Sequence, residues 1–292
     1  MASLIDADTG QAADGAIVVL DSHTVQLNTS SPDITIIAGM ADYPAAIVHS
    51  SHNPDDMLGT AVGTGPYKPE SLEVGVKGVV VRNEDHDWWG YAAGKGAYLD
   101  RIEFIDYGQD PSSWLAAIEA DEVDLVWDID GEYIDIMAGL GLAESTVASG
   151  ATIVIRANQE TEPKYADKRV RQALAMAVDN NVCLELGLNN IGITAENHHA
   201  GPMHPEYDPT VGRLPYDPAK AKALMEEAGM MDFEHELISI DGGYRKDTTD
   251  AVAAQLRDAG FKVKRTILPG STFWNDWSKY PFSSTNWNHR PL

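Results

Sequence analysis

Between residues 235 and 268 the chain reads as strand, helix, strand, and few topologies can accommodate that order. HELISI (235–240) and FKVKRTIL (261–268) carry the apolar and β-branched residues of covered strands. Between them DTTDAVAAQLRDAG (247–260) spaces Ala, Val and Leu at helical intervals. A helix joining two strands is a crossover unit, normally right-handed, and it commits this part of the chain to an α/β sheet.

The same grammar recurs. RIEFIDY (101–107), VDLVWDI (123–129), ATIVIRA (151–157) and the opening of FSSTNWNHRPL (282–292) read as strands. Helices are predicted in DPSSWLAAIEA, with Asp110 as cap and Pro111 in the first turn, in YIDIMAGL, and in DKRVRQALAMAV, where Val170, Leu174, Ala177 and Val178 share a face. DPAKAKALMEEAG adds another, capped by Asp217 and stopped by Gly229. The opening segment differs: AIVVLDSHTVQLNTSSPD alternates as a hairpin with Asp21-Ser22 at its turn, and helical potential follows over 34–46.

GTGPYKPESLEVG (63–75) resembles a phosphate loop only superficially. Such a loop opens into a helix whose first N–H groups face the anion. Here Gly63 and Gly65 lead through Pro66 and Tyr67 into Leu72, Val74, Val76 and the run Val79–Val81, with no Lys-Ser or Lys-Thr following. The glycines enter a sheet.

Charge narrows the partners. The 292 residues carry 21 basic and 45 acidic side chains, a net −24, which argues against nucleic acid or an anionic membrane surface. Residues 1–155 hold 5 of the basic and 26 of the acidic side chains, so the chain changes character near residue 155. The single cysteine, Cys183, offers neither a disulfide framework nor a thiolate metal cluster and reads as a buried thiol. The N-terminus lacks the basic and apolar regions of a signal peptide.

Candidate chemistry is diffuse. His198, His199 and His204 cluster in NHHAGPMHPE, but on a turn-rich stretch without the H-E-x-x-H spacing of a metal helix. Asp124, Asp128 and Asp130 could serve as general acids or bases near a strand end, as in an acidic hydrolase with metal at the histidines, although 45 acids make such proximity commonplace. No G-x-S-x-G elbow is present. Trp88, Trp89 and Trp114 read as core. Trp287 differs, with Asn286, Asn288, His289 and Arg290 around it at a strand end, where open α/β sheets bind ligands.

Several segments, in order, resemble the family 5 extracellular solute-binding proteins of bacterial ABC importers. LDSHTVQLNTSSPD is similar to a family hairpin, and GTGPY followed by RNEDHDWW to its most recognisable strand. AYLDRIEFIDYGQDPSSWLAAIEADEVDLVW, ADKRVRQALAMAVD and YDPAKAKALMEEAGM each resemble further family units. The resemblance implies a two-lobed α/β fold, periplasmic-binding-protein-like and of type II. Residues 1–155 would form part of an incomplete first lobe and 156–292 a second, with a hinge at Arg156 and Asn158. It implies capture without catalysis, no cofactor, no metal, a membrane permease as partner and a periplasmic location, the export signal lying outside this sequence. The chain is then expected to be an internal fragment. GTGPY would be scaffold, its glycines standing where side chains do not fit.

The implied ligand residues are Trp287, Asn288, His289, Arg290, Tyr244 and Arg245. Peptide-binding relatives carry an aspartate where Arg290 stands, so a peptide ammonium would be repelled there and a carboxylate held. A peptide-like or other small polar or anionic solute is expected. A chelated-metal solute stays open, because nickel binders belong to the same family.

Overall fold

The computed structural model describes residues 2–40, 45–129, 131–147, 149–198, 200–205, 207–212 and 214–288, apart from the side chain of Glu132. Two compact units divide between Asp106 and Tyr107. That division precedes the charge step near residue 155. Among the described residues no helix is long and apolar enough to cross a membrane.

The first unit is built of antiparallel ribbons. β1 (Ile17–Asp21) and β2 (Thr24–Leu27) form the expected hairpin, and the short α1 (Ile36–Met40) lies within the expected helical region. β3 (Tyr67–Glu73), β4 (Lys77–Arg82) and β5 (Arg101–Ile105) form a meander in sequential order. Residues 63–75 therefore do enter a sheet. The expected role of the glycines needs correcting, however. A Cβ on Gly63 or Gly65 would meet nothing nearer than 3.9 Å, so steric exclusion does not explain them. Trp89 corrects another expectation: it is 69% exposed rather than core.

The second unit holds a four-stranded sheet in the order β6-β9-β7-β8, from β6 (Thr152–Ala157), β7 (Glu234–Ile240), β8 (Lys262–Leu268) and β9 (Phe282–Trp287). β7 and β8 pair in parallel through the predicted crossover helix α7 (Gly243–Asp258); β9 is parallel to β7 and antiparallel to β6. Ahead of the sheet come α2 (Pro111–Glu119) and α3 (Gly131–Ala138), followed later by α4 (Lys168–Met176), α5 (Asn180–Leu188) and α6 (Pro218–Glu227). α8 (Gly270–Asp276) was not foreseen, because GSTFWND is too short and too poor in helix formers to read as a helix.

Caps fall where the sequence put them. Asp110 accepts from the Ser112 N–H at 3.0 Å and Asp217 from the Lys220 N–H at 2.9 Å. The strand expected at 123–129 is absent: this stretch has no ladder partner, Asp128 lies at φ 59°, and Leu125 and Trp127 are 71% and 85% exposed. Alternation suggests a strand, but a strand needs a neighbour to satisfy its backbone.

The main core lies on one face of the sheet. Val170, Leu174, Met176, Cys183, Met225, Val252 and Leu256 from α4–α7 meet Leu237 and Phe282 from the strands. Helices α5 and α7 approach so closely that a Cβ on Gly187 would sit 2.0 Å from Thr248 Oγ1 and 3.1 Å from its Cα. Burial pushes the Cys183 thiol up to about 11, as suits an inert core thiol. On the opposite face Ile238, Ile240 and Phe273 form a smaller cluster with Leu268, Trp277 and Tyr280.

His235 sits inside the main core. It is fully buried, touches Phe233, Phe261 and Phe282, and shares a 3.1 Å hydrogen bond between Nδ1 and Tyr165 Oη, while Nε2 has no partner among the described residues. Burial lowers its pKa to about 4 by penalising the charged ring. Between about pH 6.5 and 4 the unfolded chain takes a proton that the folded chain refuses, so stability falls as pH falls across that window. The shift corresponds to about 3 kcal/mol. Urea midpoints measured from pH 8 to pH 5 should decline more steeply in the wild type than in His235→Gln, whatever the variant's stability at pH 8.

Candidate functional site

The parallel strands β7, β8 and β9 end on one edge of the sheet, at Ile240, Leu268 and Trp287. The crevice beyond the carboxyl ends of strands in an open α/β sheet is where ligands are commonly held. After β7, Asp241 donates its N–H to the Leu268 carbonyl at 2.8 Å and Gly242 opens α7. A side chain at Gly242 would press on Gln109, whose Oε1 lies 2.8 Å from the position of an added Cβ.

Two groups of side chains gather at this edge, on opposite faces of β9. Strand alternation decides which residue joins which. Thr285 and Trp287 share one face, and Trp287 Nε1 donates to Thr285 Oγ1 at 2.7 Å. The register Arg156↔Ser283 brings Arg156 of β6 to the same face. Its guanidinium lies 4.8 Å from the Trp277 ring centroid and 6.0 Å from that of Trp287, and it donates to the Trp277 carbonyl at 3.3 Å. Trp277 stands edge-on to Trp287 at 6.5 Å and to Trp274 at 6.4 Å. Burial lowers the pKa of Arg156, which remains a cation.

On the other face Asn286 Nδ2 donates to Tyr244 Oη at 3.4 Å, and Asn286 Oδ1 is buried without a partner among the described residues. Tyr244 and Arg245 occupy the first turn of α7. Arg245 lies 4.3 Å from the Tyr244 ring centroid and forms an ion pair with Asp128 at 3.1 Å. The left-handed backbone at Asp128 helps aim that carboxylate across more than a hundred residues of sequence.

Four of the six expected ligand residues are thus described, divided between two faces: Trp287 on one, Tyr244 and Arg245 on the other, and Asn288 exposed just beyond β9. His289 and Arg290 lie outside the described residues, as do His199 and Asp130. Arg156, expected at a hinge, is a strand residue with its head among the tryptophans. Asn158 follows β6 and ties it to the turn before β9: its N–H donates to the Pro281 carbonyl at 2.8 Å and its Nδ2 to the Ser278 carbonyl at 3.0 Å.

Of the carboxylates of the hydrolase alternative, Asp128 is engaged by Arg245, and Asp130 lies outside the described residues. Among the described residues no three His, Cys, Asp or Glu side chains gather as a metal site. Sequence reasoning placed Asn286 beside the site but missed Trp277 as its neighbour and Asp128 as the partner of Arg245. For Arg156 a signal existed: a guanidinium in the otherwise apolar strand ATIVIRA requires a special setting.

This sheet edge belongs to a known class of fold. The periplasmic binding protein AgaA from A. tumefaciens R10, solved with agropinic acid, superposes with a TM-score of 0.77 at 22% identity, covering 92% of this chain and 55% of that one. DppA from Helicobacter pylori, solved with the peptide STSA, gives 0.78 at 17% identity, covering 94% and 54%. The fold is therefore the α/β fold of periplasmic solute-binding proteins, over part of its length.

Sequence defines the class further. The model of the bacterial extracellular solute-binding proteins, family 5, matches residues 3–292, and the chain belongs to that family. Heme-binding protein A of Haemophilus influenzae is 25% identical over 222 residues, 72% of this chain and 38% of the relative. The nickel-binding periplasmic protein of Escherichia coli is 28% identical over 184 residues, 61% and 33%. The chain thus spans about two fifths or less of the relatives' length. These relatives are solute-binding transport proteins, not enzymes.

The Arg245–Asp128 pair is testable in isolation. Both side chains are partly exposed, and such pairs contribute less than about 1 kcal/mol. Asn tolerates the left-handed conformation, so Asp128→Asn removes charge without backbone strain. Denaturant unfolding should shift by less than about 1 kcal/mol; a larger loss would mean that the pair organises the α7 turn.

Proposed function

We propose that this chain is the central part of the substrate-binding component of an ABC importer, acting outside the cytoplasm, in the periplasm, and delivering its solute to a membrane permease. The observation that carries this reading is the family match over residues 3–292. In this reading residues 1–155 belong to one lobe and 156–292 to the other, and the chain passes between them at Arg156–Asn158. Closing the lobes excludes water from the solute, and the ligand shifts the population toward the closed form through contacts that only that form completes.

The solute is a peptide-like or other small polar or anionic molecule. Relatives named for heme, di- and tripeptides and nickel support a family whose scaffold stays constant while the pocket varies. In this chain Trp287 offers a flat apolar surface on one face of β9, Tyr244 and Arg245 offer polar groups on the other, and Asn288 lies just beyond the strand. Arg290 replaces the acid that would favour an ammonium. No bond is made or broken, so the site needs no tuned acid or base.

Small-angle scattering of the full-length protein, with and without dialanine, tetraalanine, succinate, a nickel–histidine chelate and heme, tests this reading. At least one solute should contract the particle and bind by calorimetry with Kd near or below 1 µM, about −8 kcal/mol. A particle whose dimensions no solute changes would overturn it.

A further inference from the structure

Arg156 differs from most arginines of this acidic chain. Arg82, Arg101, Arg169, Arg245 and Arg265 each have a carboxylate partner. Arg156 has none among the described residues. Arg171 and Arg257 also lack one among the described residues, but they donate to backbone carbonyls: Arg171 to Tyr165 and Ala166, Arg257 to Val263. A guanidinium has five N–H donors. Among the described residues Arg156 uses one, toward the Trp277 carbonyl, and its other close neighbours are the rings of Trp277 and Trp287.

The setting favours one kind of guest. Partial burial has removed some of the water that would otherwise solvate the cation, and burial lowers its pKa accordingly. The indole rings stabilise the charge through their quadrupoles without using the N–H donors. On the same strand face Ser283 is fully buried, its Oγ without a partner among the described residues, and the Thr285 hydroxyl already accepts from Trp287. Four donors with no partner among the described residues, on a partly dehydrated planar cation, match the two oxygens of a carboxylate, which takes parallel N–H···O bonds from such a fork. The neighbouring indoles would cover the apolar body attached to that carboxylate. Arg245 cannot supply the same contact without giving up Asp128.

We propose that Arg156, framed by Trp277 and Trp287, is the residue by which this site recognises the carboxylate of its solute. The proposal rests on the solute-binding reading above and names the ligand's chemistry within it. A peptide C-terminus and a small organic acid carry the same group, and the probes below separate them.

The test uses the full-length protein as wild type, Arg156→Lys and Arg156→Gln. Calorimetry is run with N-acetyl-alanyl-alanine and succinate, which carry carboxylate without amine, and with alanyl-alanine amide, which carries amine without carboxylate. In parallel, tryptophan fluorescence is quenched with iodide and with neutral acrylamide. One carboxylate probe should bind the wild type, bind Arg156→Gln at least about tenfold more weakly, as expected for a lost charged hydrogen bond, and recover in part in Arg156→Lys. Preference for the acetylated dipeptide identifies a peptide terminus, and preference for succinate a small acid; either supports the proposal. Iodide quenching should fall in Arg156→Gln while acrylamide quenching stays the same. Carboxylate affinity unchanged in Arg156→Gln overturns the proposal. So does an equal weakening toward all three probes, which would mark lost tryptophan packing. Binding of the amide alone also overturns it, yet leaves the importer reading standing. If no probe binds and iodide quenches wild type and Arg156→Gln alike, the proposal falls, while contraction with any other solute would still uphold the importer reading.

Discussion

The insertion of β9 between β6 and β7 holds the second unit together. Six residue pairs, from Thr152↔Trp287 to Ala157↔Phe282, tie β9 to β6, and Ile238↔Ser283 ties it to β7. Phe282, Ser283, Ser284 and Thr285 are all buried, so both faces of this strand are covered. Small hydroxyl side chains suit that position: they let helices on one face and the Phe273 cluster on the other approach the backbone closely, and the ladder satisfies the peptide groups. β9 pairs with β6 across more than a hundred residues of sequence. Its contacts are long-range, and such topologies fold slowly.

From that closure the candidate site follows. β9 delivers Trp287 to the carboxyl edge and β6, running the other way, delivers Arg156 from beneath. Neither would meet Trp277 without the unforeseen turn of α8. The opposite face is organised by α7, whose first turn sets Tyr244 against Asn286 and Arg245 against Asp128. One strand thus separates an aromatic–cationic group from a polar, charge-neutralised one. The two present different chemistry to any solute at the edge, and strand alternation alone keeps them apart.

The rigid and adaptable parts of the unit are distinct. The Tyr165–His235 pair and the aromatic rings around it form a close-packed interior with a neutral histidine. Arg265 locks β8 to α7 through Asp250 and to β7 through Ser239 and the Leu237 carbonyl. At the carboxyl edge Asn286 and Trp287 are half-buried and Asn288 is exposed. A stable scaffold beneath a lightly tied edge is what ligand-binding loops require, since local opening draws on the least-packed regions.

Much was legible from local pattern. Capping aspartates, the crossover unit 235–268, the hairpin at 17–27 and the strand following GTGPY are all written in short-range residue order, because caps, turns and periodicity depend on neighbours within a few positions. The family resemblance was legible for the same reason. What failed needed a partner distant in sequence. VDLVWDI alternates like a strand but finds no ladder, and Trp89 looks like core but has no core to enter. Residue order alone set most of the elements, their caps and the family. Only the tertiary structure decided that β9 would be central, that Trp287 and Asn286 would face opposite ways, and that Arg156 would lie among tryptophans instead of carboxylates. Those outcomes depend on which strands become neighbours and in what register, and register is fixed by packing across the whole sheet.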